Sequence, residues 1–189
     1  SLKYWNTIGD LKHDNHLFRG WVSCILNFTK DKKKYIAVGS WDGTVHILNS
    51  EYNPERTIAG GEYAVTSLSA DLEGEFLFIA YKDGTVKVYN FQTENKEEND
   101  DKNFKYVIET GVDINCILFE TKFFEMFAIG TSKGLQIRRI KVDKKNKPIV
   151  FSDPKKGKAQ ACLSLTYDKS KNYLFAGFAD GLADRKSVV

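Results

Sequence analysis

YIAVGSWDGTVHILN, from Tyr35 to Asn49, sets an apolar run, a polar turn ending in glycine and an alternating strand in one phrase. The phrase returns as FLFIAYKDGTVKVYN at Phe76 to Asn90, MFAIGTSKGLQIRRI at Met126 to Ile140 and YLFAGFADGLADRKS at Tyr173 to Ser187. The turn glycines Gly43, Gly84, Gly134 and Gly181 fall roughly 40 to 50 residues apart, the period of a β-propeller blade rather than of a helical solenoid. Nothing in the chain sustains a helical period, so the reading is all-β: antiparallel sheets of up to four strands, about four of them in series.

Working outward, each phrase is preceded by a short apolar strand: WVSCILNF from Trp21, YAVTSLSA from Tyr63, DINCILF from Asp113 and ACLSLTY from Ala161. Aligning these puts the small residues Cys24, Ser67, Cys116 and Ser164 in one column, with Val22, Val65, Ile114 and Cys162 two positions earlier. Residues two apart share a strand face, which predicts that both columns pack into the same layer between close sheets. The middle strands are apolar on both faces, as a sheet between two other sheets requires. The Asp-Gly pairs are hairpin signals, so Asp42, Gly43, Asp83, Gly84, Gly134, Asp180 and Gly181 are read as structural turn residues rather than chemistry. Weak outer strands are expected near Arg56 to Gly61, Lys105 to Gly111 and Lys147 to Asp153, where polar sequence discourages edge pairing. The repeat units run approximately 8–49, 50–90, 91–140 and 141–189, preceded at 1–6 by a strand of an earlier blade.

Bulk properties exclude more than they assign. Of 189 residues, 42% are hydrophobic and 13% aromatic, which favours a folded strand-rich chain over disorder. A net charge of +3 is too small to argue for nucleic acid by itself. Cys24, Cys116 and Cys162 are odd in number and sit inside apolar strands, so they are read as core packing in a reducing setting, not as a disulfide framework. No apolar run is long enough to span a bilayer, and no membrane insertion is expected. Two insertions break the period: an acidic one from Gln92, expected to be a mobile loop or an outer-strand extension and least ordered over Glu94 to Lys102, and a basic one from Lys141.

Catalytic signatures are missing. His13, His16 and His46 have no carboxylate or cysteine at ligand spacing, and there is no phosphate-cradling glycine loop, nucleophile elbow or Cys-x-x-Cys pair. Neither enzymatic chemistry nor a cofactor is expected. What remains is a platform, and propeller platforms meet partners through loops on one face. The candidate contacts are Trp41, Lys82 and Lys133 in the turns, with Lys144, Lys145, Lys147, Lys155, Lys156 and Lys158 in the basic insertion, where a solvated loop is the plain alternative. Trp41 either packs beneath the next blade or stands exposed as an aromatic anchor.

The Trp41–Asp42 pair and the blade-length period resemble the WD-repeat propellers. Closer still, LKYWNTIG, GWVSC and GSWDGTV, with CLSLTY and LFAGFADGL near the end, resemble the C-terminal repeats of the receptors for activated C kinase, the G-protein-β-like scaffolds of the small ribosomal subunit. The resemblance implies part of a larger ring, roughly seven-bladed, with a complete four-bladed ring as the competing reading. It implies a cytoplasmic, non-enzymatic scaffold that docks signalling proteins, protein kinases among them, and translation factors. Implied partners are small-subunit proteins and ribosomal RNA, although the family's main RNA contacts come from early blades without counterpart here. A propeller adaptor unrelated to ribosomes, such as a G-protein-β-like subunit or a substrate receptor, is the alternative. The sequence departs from the family at the end of each repeat, where Leu48, Tyr89 and Arg139 replace the usual Trp. No Gly-His pair precedes the inner strands, so the family's buried Asp-His-Ser-Trp network is expected to be incomplete.

Overall fold

Alternating apolar strands joined by short turns can bury their apolar faces only by pairing as meanders and stacking sheet on sheet. In the computed structural model, which describes residues 1–59, 61–91, 104–120, 126–139, 149–151, 160–168, 173–181 and 183–187, they do so in chain order. A two-stranded ribbon of β1 (Leu2–Trp5) and β2 (Leu11–Asn15) comes first. The first four-stranded sheet holds β3 (Val22–Lys30), β4 (Lys33–Ser40), β5 (Thr44–Leu48) and β6 (Pro54–Ala59). The second holds β7 (Val65–Ala70), β8 (Phe76–Tyr81), β9 (Thr85–Asn90) and β10 (Phe104–Glu109). In the third are β11 (Ile114–Glu120), β12 (Met126–Thr131), β13 (Gly134–Arg139) and β14 (Ile149–Phe151). A last, three-stranded sheet has β15 (Cys162–Tyr167), β16 (Tyr173–Phe178) and β17 (Ala183–Ser187). All pairings are antiparallel, and no helix occurs among the described residues. Glu94 to Lys102, expected to be mobile, lies outside the described residues.

The sheets pack through their inner strands, β3 on β7, β7 on β11 and β11 on β15. Here the expectation of one shared layer is overturned. Every inner strand carries a bulge at the same place, between Val22 and Cys24, Val65 and Ser67, Ile114 and Cys116, and Cys162 and Ser164. One extra residue shifts the register, so the two columns point to opposite neighbours. Val65 presses on Gly39 of the preceding sheet, where an added Cβ would lie 2.6 Å from its Cγ1, whereas Ser67 Oγ accepts the amide of Ile117 in the following sheet at 3.1 Å. Ile114 and Cys162 pack backward in the same way, into clusters with Ala80 and Ala128. The small column pairs with Gly39, Ala80, Gly130 and Gly177 on the middle strands, which keeps the seams thin. All three thiols are free: Cys162 is buried against Gly130, and Cys24 and Cys116 are half-buried at these seams.

Most turns between middle and third strands are one residue longer than a two-residue Asp-Gly hairpin. Gly43, Gly84 and Gly181 donate their amides to Ser40, Tyr81 and Phe178, which closes three-residue loops with the glycine left-handed at φ +85°, +90° and +81°. This is a four-residue turn followed by a glycine bulge. The third repeat differs, pairing Thr131 directly with Gly134 across Ser132 and Lys133. One loop of similar form, from Asn49 to Asn53, places Tyr52 at φ +65°, where its ring stacks on Tyr4 of the ribbon at 3.9 Å. The ribbon's own turn uses Gly9 at φ +92°.

These turns tie one sheet to the start of the next. Thr110 donates its amide and hydroxyl to the Gly84 carbonyl at 2.9 and 2.8 Å, and a Cβ on Gly84 would meet the Val112 carbonyl oxygen at 2.5 Å. Gly111, at φ +73°, has open space around such an atom. Gly111→Ala is therefore expected to cost about 1 to 2 kcal/mol of left-handed strain. Gly84→Ala adds a backbone clash worth roughly a further 1 kcal/mol or more. Urea denaturation of the two variants checks the order; equal losses would show that Gly84 is not held against Val112.

Candidate partner-binding face

The turns and the residues entering the inner strands converge on one face because a single backbone bond repeats in every sheet. Trp41 donates its amide to Trp21, Lys82 to Ala64, Ser132 to Asp113 and Ala179 to Ala161, all at 2.8 to 2.9 Å. Trp41, Lys82 and Lys133 consequently sit on successive turns of this face, all exposed. Lys144, Lys145, Lys147, Lys155, Lys156 and Lys158 lie outside the described residues.

Trp41 projects into solvent, 55% exposed, rather than beneath the next sheet. Its position follows from Asp42. Oδ2 of Asp42 accepts the amides of Arg19 and Gly20 at 2.9 and 3.1 Å, while Oδ1 accepts the Thr44 amide and hydroxyl at 3.0 and 2.6 Å. With the carboxylate turned inward, the preceding indole is carried outward, against Trp21 with ring centroids 4.8 Å apart. Trp21 is 73% exposed. Sequence reasoning missed it, although alignment of the inner strands places it directly before Val22, the position that each turn's first residue contacts.

Beside the indoles a groove of about 380 Å³ is lined by residues of the first three four-stranded sheets, Lys82, Ile114 and Asn115 among them. Lys82 Nζ pairs with Asp113 at 3.1 Å, both side chains about half exposed. Such a solvated pair is worth little and leaves donors on the ammonium. The hydroxyls of Ser23 and Thr66, also facing the groove, donate to the carbonyls of Gly39 and Ala80. Their lone pairs remain available as acceptors.

The turn aspartates are unequal. Asp83 bonds only Thr85 within its own turn, whereas Asp42 joins two loops and continues through Thr44 to His46, 3.2 Å from the Thr44 hydroxyl, and on to Thr57 at 3.2 Å. Burial lowers the affinity of His46 for a proton, partly opposed by Asp42, and Phe18 meets the ring edge-on at 4.8 Å. This chain of bonds starts at the carboxylate of the Trp-Asp pair, with Arg19 and Gly20 supplying amides where the family's Gly-His pair is absent. Among the described residues no three His, Cys, Asp or Glu side chains gather as a metal-ligand set.

Burial by itself would raise the Asp42 pKa, but the side-chain bond from Thr44 and the amides of Thr44, Gly20 and Arg19 overcome it and hold the group at about 2, against an ordinary 3.8. Because the folded value is depressed, the stabilisation is present above about pH 4 and is lost as pH falls towards 2. Asp42→Asn is expected to cost roughly 1 to 3 kcal/mol at neutral pH. Urea melts across that range should show the gap between the two proteins closing with acid; a pH-independent gap would mean the carboxylate charge is not what holds the loops.

Known proteins share this organisation. A family model described as the Vps42 beta-propeller matches residues 2–116. Small ribosomal subunit protein RACK1y of Oryza sativa subsp. japonica is 25% identical over 93% of this chain and 52% of its own length. Cross-pathway control WD-repeat protein 2 of Flammulina velutipes is 23% identical over 93% and 55%. The solved β-propeller domain of Myceliophteria thermophila Cps50 (Swd1) superposes with a TM-score of 0.73 at 21% identity, covering 92% of this chain and 54% of that one. The chain thus spans about half the length of the curated relatives it matches. Serial antiparallel sheets, the Trp41–Asp42 turn and the matched span agree, and the chain belongs to the β-propeller family described by that model, as a WD-repeat propeller.

Proposed function

We propose that the protein is a non-enzymatic cytoplasmic scaffold docked on the small ribosomal subunit, holding signalling proteins, protein kinases among them, and translation factors. The observation that carries this reading is the run of relatives named as small ribosomal subunit proteins, each matched along nearly the whole of this chain. The face of turns supports the scaffold role, because it offers exposed aromatic and cationic side chains. Ribosomal RNA and small-subunit proteins are the partners on this reading, with the basic insertion at Lys144 to Lys158 as the contact this chain can offer.

A second reading, a propeller adaptor unrelated to ribosomes, is favoured by the family model that matches residues 2–116 and by the WD-repeat relative named for cross-pathway control. Co-sedimentation with small ribosomal subunits separates the two. On the first reading the chain pellets with subunits at about 50 mM salt and is released near 200 mM, since phosphate neutralisation is relieved by added counterions. Changing Lys155→Glu, Lys156→Glu and Lys158→Glu together should abolish that binding. No association of the full-length protein at either salt concentration would favour the adaptor, and salt-resistant association of this chain would remove the basic insertion from the contact.

A further inference from the structure

Exposed tryptophan is costly unless something covers it, and this face places two together. Trp21 and Trp41 are 73% and 55% exposed and lean on each other, so they form one apolar wall rather than two scattered side chains. Their backbones are fixed: Trp41 is bonded to Trp21, and the turn is clamped through Asp42. A rigid aromatic wall loses little entropy on binding, which is why tryptophan dominates the energetics of contact surfaces. Among the described residues that line the groove, Lys82 alone is charged, and its exposed pairing with Asp113 leaves donors on its ammonium. Between them, Ser23 and Thr66 have spent their hydroxyl protons on carbonyls of their own sheets and face the groove as acceptors.

These features specify a ligand. An apolar side chain suits the indoles, N–H groups of an extended backbone suit the two hydroxyl oxygens, and a carboxylate suits Lys82. A single cation is too few for a nucleic-acid backbone, which needs several phosphate contacts. A carboxylate is drawn to the ammonium more strongly than to Ser23 or Thr66, whose hydroxyls are neutral and bond carbonyls of their own sheets. We propose that this groove binds a short extended peptide segment of a partner protein, with an apolar side chain against Trp21 and Trp41 and an acidic side chain two or three residues away on Lys82. The proposal rests on the reading of the chain as a partner-holding scaffold but not on its attachment to ribosomes.

Selection of a phage-displayed random heptapeptide library on the purified chain tests it without ribosomes. The expected outcome is enrichment of sequences that combine an aromatic or branched apolar residue with a nearby Asp or Glu. A synthetic copy of the commonest sequence, followed by fluorescence anisotropy, should bind at least about tenfold more weakly to Trp21→Ala and to Trp41→Ala, and clearly more weakly to Lys82→Glu. Trp5→Ala, which removes an equally exposed indole from the ribbon, should leave binding unchanged. Because all four positions are exposed, thermal melting should report each variant folded. No enrichment over the doubly substituted Trp21→Ala, Trp41→Ala protein would overturn the proposal, as would basic consensus sequences or equal weakening by Trp5→Ala. Self-association of the chain that disappears with the two indoles would also overturn it, by making a second copy the occupant. Failure of ribosome co-sedimentation alone would leave this site standing.

Discussion

An inner strand can approach the preceding sheet closely only where that sheet's middle strand carries little or no side chain, and the rest of the structure depends on that approach. Gly39 receives Val65, and Gly130 receives Cys162. Where the middle strand has Ala80 instead of glycine, Ile114 packs against it in the second sheet's cluster. The thin seam also settles a polar problem. Each inner strand has a paired edge and an unpaired one, and buried amides on the free edge must find acceptors. Ser67 and Ser69 supply them to Ile117 and Phe119 of the next sheet, at 3.1 and 3.0 Å. Larger residues in the small column would hold the strands apart and leave these amides unpaired.

Once the seams fix where each inner strand starts, the face of turns follows. The same four backbone bonds bring the turn of every sheet beside the entry to its own inner strand, and the Thr110 bonds to Gly84 join the second sheet to the third. Side chains on this face are therefore positioned by sheet geometry rather than by their own packing. That is how Trp21 and Trp41 can be both exposed and fixed.

Much of this was legible in the sequence, because it rests on residue types that do few other things. Apolar runs before polar turns located the middle strands, the glycine period located the turns, and the small column located the seams. The bulges were not legible: Ser23, Thr66, Asn115 and Leu163 occupy the extra position with no common chemistry, since an unpaired residue on a kinked strand has few constraints. Without the bulge, period-two reasoning sent both columns to one side. The same omission hid Trp21, because its proximity to Trp41 is a matter of register across two strands. Asp42 was recognised as a turn residue, but its bonds to Arg19 and Gly20 reach more than twenty positions back along the chain and leave no local mark.

Tyr52 illustrates a different kind of dependence. Its left-handed backbone is one that a bulky residue adopts at a cost of order 1 to 3 kcal/mol, and Gly9 holds the similar place in the ribbon's turn without that cost. What offsets it is the ribbon itself, through the stacked ring of Tyr4 and the Asn15 amide bonded to the Tyr52 carbonyl at 3.2 Å. The turn's shape and the seating of the ribbon are thus two halves of one equilibrium: whatever pulls the ribbon away relaxes the turn, and whatever straightens the turn loosens the ribbon by the same free energy.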